Sequence, residues 1–317
     1  MNTLHGKSPC CHAKITKHGK RRRKCSQCGR TWSLRPKKRG PKPKRKTQYL
    51  LNQVLVRRFT INQLVRPLSY YTLRGKLRKE LQEINENPPR YSLPKTGKFI
   101  LLADGVWYKF RGKYWVLYLV ALRSVESNRA WMLEPVLLPG RETGARWKQV
   151  IEGIPEEVKS RVCAMVCDGF KGGTGIARKH QWPLQRCHFH LKALLKNRQG
   201  RKNDLMGREI GRQINEILAM RDINQVKASL RGLRQLAESP QATKRIKGIA
   251  REFIRKISDF FNFLNFPEYH LPNTNNCMEA YAKMLRKKLY NISTPGSLEL
   301  WSKAFIMLNK RIMCNGK

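Results

Sequence analysis

Three acidic residues stand out in a chain that is short of acids. Asp104 lies in FILLADGVWY, Asp168 in VCAMVCDGFKGG and Glu279 in NTNNCMEAYAK, against a background of 66 Lys and Arg to 21 Asp and Glu. Each aspartate closes an apolar, strand-like run and is followed by Gly, which lets the backbone turn sharply away. If the two strands are parallel neighbours, both carboxylates emerge at one edge of a sheet. A lone Asp-Gly is more often only a turn, but two of them at matching strand ends favour a site. With a later glutamate from a helix, they are what a divalent-metal phosphoryl-transfer centre needs. Carboxylate oxygens suit Mg2+ or Mn2+, and a pair of such ions can activate an attacking oxygen and stabilise a leaving one.

The elements that must hold these acids are legible in the period of the apolar residues. FILLADGVWYKF, KYWVLYLVALR and AWMLEPVLL are β-branched and aromatic runs separated by turn-like RGK and ESN, and read as three consecutive antiparallel strands. GARWKQVIEGI reads as a helix with Trp147, Val150 and Ile151 on one face. VCAMVCDG is a short buried strand, followed by a Gly-rich turn, a helix through Lys179 and a fifth strand in PLQRC. Three antiparallel strands, helix, strand, helix, strand is the order of a ribonuclease H-like α/β fold. From about His190 to Phe266 the pattern is helical, and a second helical block runs from Asn276 onward.

Before this region the composition changes. No Asp or Glu precedes Glu80, and the whole chain carries a formal charge of +45 with 40% hydrophobic residues. That balance describes a folded protein that meets a polyanion, and double-stranded DNA or RNA is the partner it implies. The segment KKRGPKPKRK, 37–46, reads as an extended basic linker in which Arg39 can lie in a narrow minor groove. Three short helical stripes follow from Thr47 to Ile84, the last made by Leu73, Leu77, Leu81 and Ile84 and capped by Ser69. Arg74, Lys76, Arg78 and Lys79 stud that helix, giving a helix-turn-helix-like DNA-binding module or a basic spacer. No apolar run reaches the length of a membrane span, so no membrane partner is expected.

The nine cysteines are expected to be reduced. Cys25-Ser-Gln-Cys28-Gly is a zinc-knuckle spacing, and Ser-Pro-Cys10-Cys11-His12 lies about fourteen residues upstream. Zn2+ is expected on Cys11, Cys25 and Cys28, with Cys10 or His12 as fourth ligand.

The motifs ADGVWY, VCDGFKGG, QRCHFH and NTNNCMEAYAKMLR, in that order, resemble the Mutator-like superfamily of DDE transposases over about Lys98 to Arg286. The most specific element is the Cys-x-x-His spacing of Cys187 and His190 after the second Asp. The resemblance implies a metal-dependent enzyme that cleaves DNA and joins strands for a bacterial insertion sequence, with Asp104, Asp168 and Glu279 as catalytic Mg2+ ligands. It implies Cys187 and His190 as a supporting pair, and Arg286 and Asn275 as DNA contacts near the Glu279 helix. The N-terminal cysteines resemble the zinc ribbon of several insertion-sequence transposases, which open with Cys-Pro-x-Cys where this chain has Ser8-Pro9-Cys10-Cys11.

The resulting organisation is a zinc-ribbon-like domain over 1–36, the linker, a helix-turn-helix-like domain over 47–90, and a catalytic domain over 97–317 with a helical insertion at about 191–270. Terminal inverted repeats and target DNA are the expected partners, bound by a homodimer or higher oligomer in a bacterial or archaeal cytoplasm, close to the nucleoid. A non-catalytic DNA-binding descendant, or a nuclease of the same fold, are the alternatives.

Overall fold

Two long apolar runs pair along their full length and set the frame of the larger unit. Strands β4 (Phe99–Phe110) and β5 (Lys113–Ser124) are antiparallel from Phe99↔Ser124 to Phe110↔Lys113. Arg111 and Gly112, at φ 46° and 82°, make the two-residue turn that joins them. The computed structural model describes residues 7–8, 10–18, 20, 22–33, 50, 54–55, 69–87, 93–94, 96–198 and 204–314. The basic linker with Arg39, and nearly all of 47–68, lie outside these residues, so only the last helix of the expected helix-turn-helix is described.

The chain divides into two compact units, 1–49 and 50–317. The smaller holds a three-stranded antiparallel sheet, β1 (Ile15–Lys17), β2 (Arg22–Cys25) and β3 (Thr31–Ser33), in that order.

In the larger unit, β8 (Val162–Cys167) pairs parallel to β4, with Leu102 opposite Val166, and β9 (Leu184–Arg186) pairs parallel to β8. The third expected strand is instead two, β6 (Arg129–Met132) and β7 (Val136–Pro139), which pair with successive stretches of the same edge of β5. Pro135, without an N–H to donate, lies at the break between them. A short strand, β10 (Arg311–Met313), adds to β6 and closes that side. Among the described residues the sheet order is β10-β6-β5-β4-β8-β9, with β7 beside β5.

Both faces of this mixed sheet are covered, which is why its central strands read as continuous apolar runs. On one face, Ile100, Leu102, Val106, Leu119 and Val166 pack with helices α1 (Tyr70–Glu86), α10 (Asn276–Lys288) and α11 (Pro295–Leu308). Helix α1 supplies its Leu73, Leu77, Leu81 and Ile84 stripe to this core, capped by the Ser69 hydroxyl, which accepts from Thr72 N at 3.2 Å. On the other face, Phe99, Leu101, Ala103, Tyr118 and Met165 pack with α2 (Gly144–Glu152) and α4 (Gly173–Lys179). The turn of α3 (Glu156–Lys159) leads from α2 into β8.

The expected all-helical stretch is α5 (His188–Arg198), α6 (Leu205–Ala219), α7 (Ile223–Glu238), α8 (Lys244–Arg255) and α9 (Ile257–Asn265). They share a separate core that includes Leu195, Ile214, Leu233, Phe253, Phe260 and Phe261.

One close approach fixes the loop after β8. A Cβ on Gly144, at the start of α2, would lie 2.5 Å from the Lys171 carbonyl oxygen and 3.0 Å from Gly172 Cα. Both neighbours are backbone and cannot swing away. Gly144→Ala is therefore expected to destabilise the larger unit by about 1–3 kcal/mol. Thermal melting of the variant checks this, and a melting temperature equal to wild type would show that the contact is not tight.

Candidate active site

Asp104 lies in the middle of β4, paired with Leu119, rather than at a strand end, and Gly105 continues the strand opposite Tyr118. The hydrogen bonding of the long hairpin carries β4 past the point where β8 stops. Asp168 is the first residue after β8, and continuing the Leu102↔Val166 register by two places brings it level with Asp104. Gly169 follows at φ 92°, a conformation that suits glycine, and a Cβ there would also strike the Arg186 guanidinium at 2.3 Å. Asp168 Oδ1 accepts from Phe170 N at 3.0 Å, turning the carboxylate toward its own loop.

Between Leu102 and Val106 on the strand, Asp104 faces the side covered by α10, whose first turn carries Glu279. Ligand atoms of Asp104, Glu279 and His190 all lie within 4.8 Å of one another. His190 thus occupies the place in the tight group expected of Asp168, whose Oδ1 is engaged by the Phe170 N–H. The Asp168 charge nevertheless acts on Asp104.

The electrostatics follow from burial and crowding. Asp104 is 4% exposed, and its Oδ2 has no hydrogen-bond partner among the described residues. Burial, then the charges of Glu279 and Asp168, push its carboxyl from 3.8 up to about 7. Burial likewise raises Asp168, against the opposing pull of His190 and the Phe170 N–H. Glu279 is lowered, because its Oε1 lies 2.6 Å from His190 Nε2. For His190 burial acts downward, but the Cys187 thiol and the Glu279 carboxylate outweigh it and push the imidazole up to about 11. Two carboxylates meeting at one point, one with a stranded buried oxygen, and a third at the neighbouring strand end form a donor set that suits a hard divalent cation.

The QRCHFH segment divides its work. Gln185 Nε2 donates to Phe260 O at 2.9 Å, its Oε1 accepts from Phe263 N at 3.0 Å, and His188 Nε2 donates to Phe260 O at 2.7 Å. These three bonds dock α9 against β9 and the start of α5. Cys187 faces the acids. Its N–H donates to Cys167 O at 2.8 Å, beside Asp168, and its Sγ accepts from Asn275 N at 3.0 Å, at the head of the Glu279 helix. One buried cysteine thereby ties β8, β9 and α10 together.

Asn275 departs from its expected place. It sits at the cap position of α10 without a side-chain cap bond, is fully buried, and donates from Nδ2 to Ala103 O at 3.1 Å. It braces β4 next to Asp104 and has no surface to offer DNA. Arg286, two turns along α10, is exposed, and its charge acts on both Asp104 and Glu279. Arg74, Lys76, Arg78 and Lys79 are exposed on the outer face of α1.

Sequence reasoning missed Glu142. Its Oε1 accepts from Trp147 Nε1 at 2.6 Å and its Oε2 from Trp107 Nε1 at 3.3 Å. Gly105 leaves it room, since a Cβ there would lie 3.2 Å from Glu142 Oε1. Burial is the main cause raising its carboxyl, and Asp168 and His190 are near enough to act on it. The sequence signal was faint: an acid just before the Thr143 cap, with a tryptophan one turn on.

In the smaller unit the sulfurs of Cys10, Cys11, Cys25 and Cys28 lie within 4.8 Å of one another, with Cys10 and Cys28 Sγ 3.4 Å apart. The fourth member is Cys10, and His12 is not in the group. Four thiols at this separation fit a tetrahedral Zn2+, whose Zn–S bonds are about 2.3 Å. Ser8, where a first ligand was expected by analogy, is buried and structural: its Oγ accepts from Ala13 N at 3.2 Å and lies 3.2 Å from Cys25 Sγ. The Cys28 backbone N–H, then Ser8, draw the Cys25 thiol down to about 6.

Among the described residues no helix is long and apolar enough to cross a membrane. No curated protein matches the chain. A model of the Mutator family of transposases matches residues 92–295, and the chain belongs to that family.

Proposed function

We propose that this transposase is a DDE enzyme of a bacterial insertion sequence, with a ribonuclease H-like catalytic domain that cuts and joins DNA. The observation that carries this reading is the meeting of Asp104 with Glu279 on one face of the sheet, level with Asp168 at the end of the neighbouring parallel strand. Asp104, Asp168 and Glu279 would hold Mg2+ or Mn2+, which when bound supplies Lewis-acid stabilisation of the phosphoryl transition state and an activated oxygen nucleophile.

The remaining residues position and neutralise. Cys187 and Asn275 hold the three acid-bearing elements in register. His190 keeps the Glu279 carboxylate ionised and oriented, and Arg286 offers a cation to a phosphate at the open side of α10. The exposed cations of α1, the basic residues of the linker sequence and a zinc ribbon built on Cys10, Cys11, Cys25 and Cys28 bind the element's terminal inverted repeats. Synapsis of two ends then requires at least a homodimer, acting on DNA in the cytoplasm.

Cleavage of a labelled duplex carrying the element's own flank, in Mg2+ and in EDTA, tests the reading. Metal-dependent nicking that leaves a 3′-hydroxyl at the boundary is expected, and Asp168→Ala is expected to abolish it while end binding persists. Wild-type cutting by that variant would remove Asp168 from the site. Binding without any cut in Mg2+ or Mn2+ would favour a non-catalytic descendant.

A further inference from the structure

Trp107 is 43% exposed and Tyr114 39% exposed, on adjacent strands of the hairpin that carries Asp104. Single exposed aromatics are ordinary, but these two form a built cluster. Their rings meet edge to face at 5.9 Å, and two cations sit over Tyr114: Lys109 Nζ at 5.5 Å and the Arg141 guanidinium at 5.6 Å from its centroid. Both cations are themselves exposed.

The Trp107 ring is also fixed in place. Glu142 Oε2 accepts from its Nε1, while Oε1 of the same carboxylate is anchored by Trp147, which is fully buried and stacks on Phe170 at 4.4 Å. A half-buried acid with one oxygen on a core indole and the other on a surface indole serves to hold the surface ring still. An exposed ring held in one orientation presents a preset face to a ligand.

The location names what lands. By strand alternation Trp107 lies with Gly105 on the α2 face, opposite the Asp104 side chain. Past Leu102, however, β4 has no strand on its β8 side among the described residues, and Glu142, which holds Trp107, is near enough to Asp168 and His190 for their charges to act on it. We propose that Trp107, pinned by Glu142 and flanked by Tyr114, Lys109 and Arg141, is a stacking platform for an unpaired base of the DNA strand that enters the acidic site. Aromatic rings beside cations suit a nucleobase and its phosphates. A paired duplex buries its base faces, so the ligand is a base freed at an opened or nicked end. The proposal rests on DNA being the substrate, but not on cleavage.

The test uses the full-length protein in EDTA, where nothing is cut, and a duplex with a short overhang containing 2-aminopurine. Wild-type protein is expected to quench the probe and to bind the tailed duplex more tightly than a blunt one. Trp107→Ala is expected to lose the quenching and to weaken tailed binding about 5- to 150-fold, with blunt binding changed less than about twofold. Trp107→Phe keeps an aromatic face and is expected to retain most of both signals, which separates stacking from misfolding. Unchanged quenching in Trp107→Ala, or equal losses on tailed and blunt DNA, would overturn the platform. A platform that holds while the cleavage assay fails would leave a base-binding protein without the proposed chemistry.

Discussion

Asp104→Asn is expected to abolish strand cleavage and, in the same protein freed of metal, to raise the melting temperature. The two effects have one cause. Asp104 is almost completely enclosed, with one oxygen unpartnered, and it faces the charges of Glu279 and Asp168. A carboxyl moved from 3.8 to about 7 by folding opposes the folded state at neutral pH by about 4 kcal/mol. The sign follows from proton uptake: between those values the folded chain holds more protons than the unfolded one. Stability therefore falls as pH rises from about 4 to about 7, and is level above that. Asparagine is neutral throughout, and its amide has N–H groups to offer the two nearby carboxylates. The wild-type and variant melting curves should thus converge near pH 4 and separate toward pH 7.

The loss of cutting should be at least about 10^3-fold, since a removed metal ligand is worth several kcal/mol in the transition state. A structural aspartate would behave oppositely, with its removal lowering stability at neutral pH. If Asp104→Asn melts at or below wild type at pH 7 to 8 in EDTA, the acid is not held in place against its own repulsion, and the reading of the site fails.

How much of this arrangement could be read from the chain depends on how local its cause is. The strands of FILLADGVWYKF and KYWVLYLVALR declare themselves because both faces are buried, so nearly every position is apolar. The α1 stripe is legible for a different local reason, since its single buried face puts Leu73, Leu77, Leu81 and Ile84 at helical spacing. The same sequence nonetheless predicts a strand end at Asp104. Asp-Gly is turn chemistry over four residues, but twelve pairings with β5 override it, and only the partner strand reveals that. Gly105 turned out to make room for Glu142, not to bend the chain.

Glu142 itself was illegible because its two indole partners lie 35 residues upstream and 5 residues downstream, so no spacing rule connects them. Asn275 failed as a surface residue for a related reason. Its Asn-rich surroundings suggest a polar loop, yet its amide replaces a missing strand partner at Ala103 O. Strand β10 was unreadable at three residues long, since it exists by pairing with β6 and not by its own propensity.

Removing metal from the smaller unit should unfold it while leaving the melting of the larger unit in place. Its strands are three or four residues long, and among its described residues the only buried hydrophobic is Cys25. So small a core cannot offset the entropy of ordering the chain, and domains of this size depend on a metal or a disulfide. All four of its cysteines are free thiols grouped at one point, which selects the metal. Binding must displace the proton of Cys11, whose thiol the Cys28 sulfur, burial and Cys10 together push up to about 12. Zinc affinity should therefore rise with pH. One zinc per chain is expected by colorimetric release, and chelation should open 1–49 to trypsin ahead of the rest. Cys28→Ser should reproduce that pattern. Cys10→Ser should weaken zinc binding where His12→Ala leaves it intact, because the sulfur of Cys10 stands 3.4 Å from that of Cys28 while His12 stays out of the group. Full zinc content and wild-type protease resistance in Cys28→Ser would show that the four thiols do not hold a metal, and that the short strands persist on some other support.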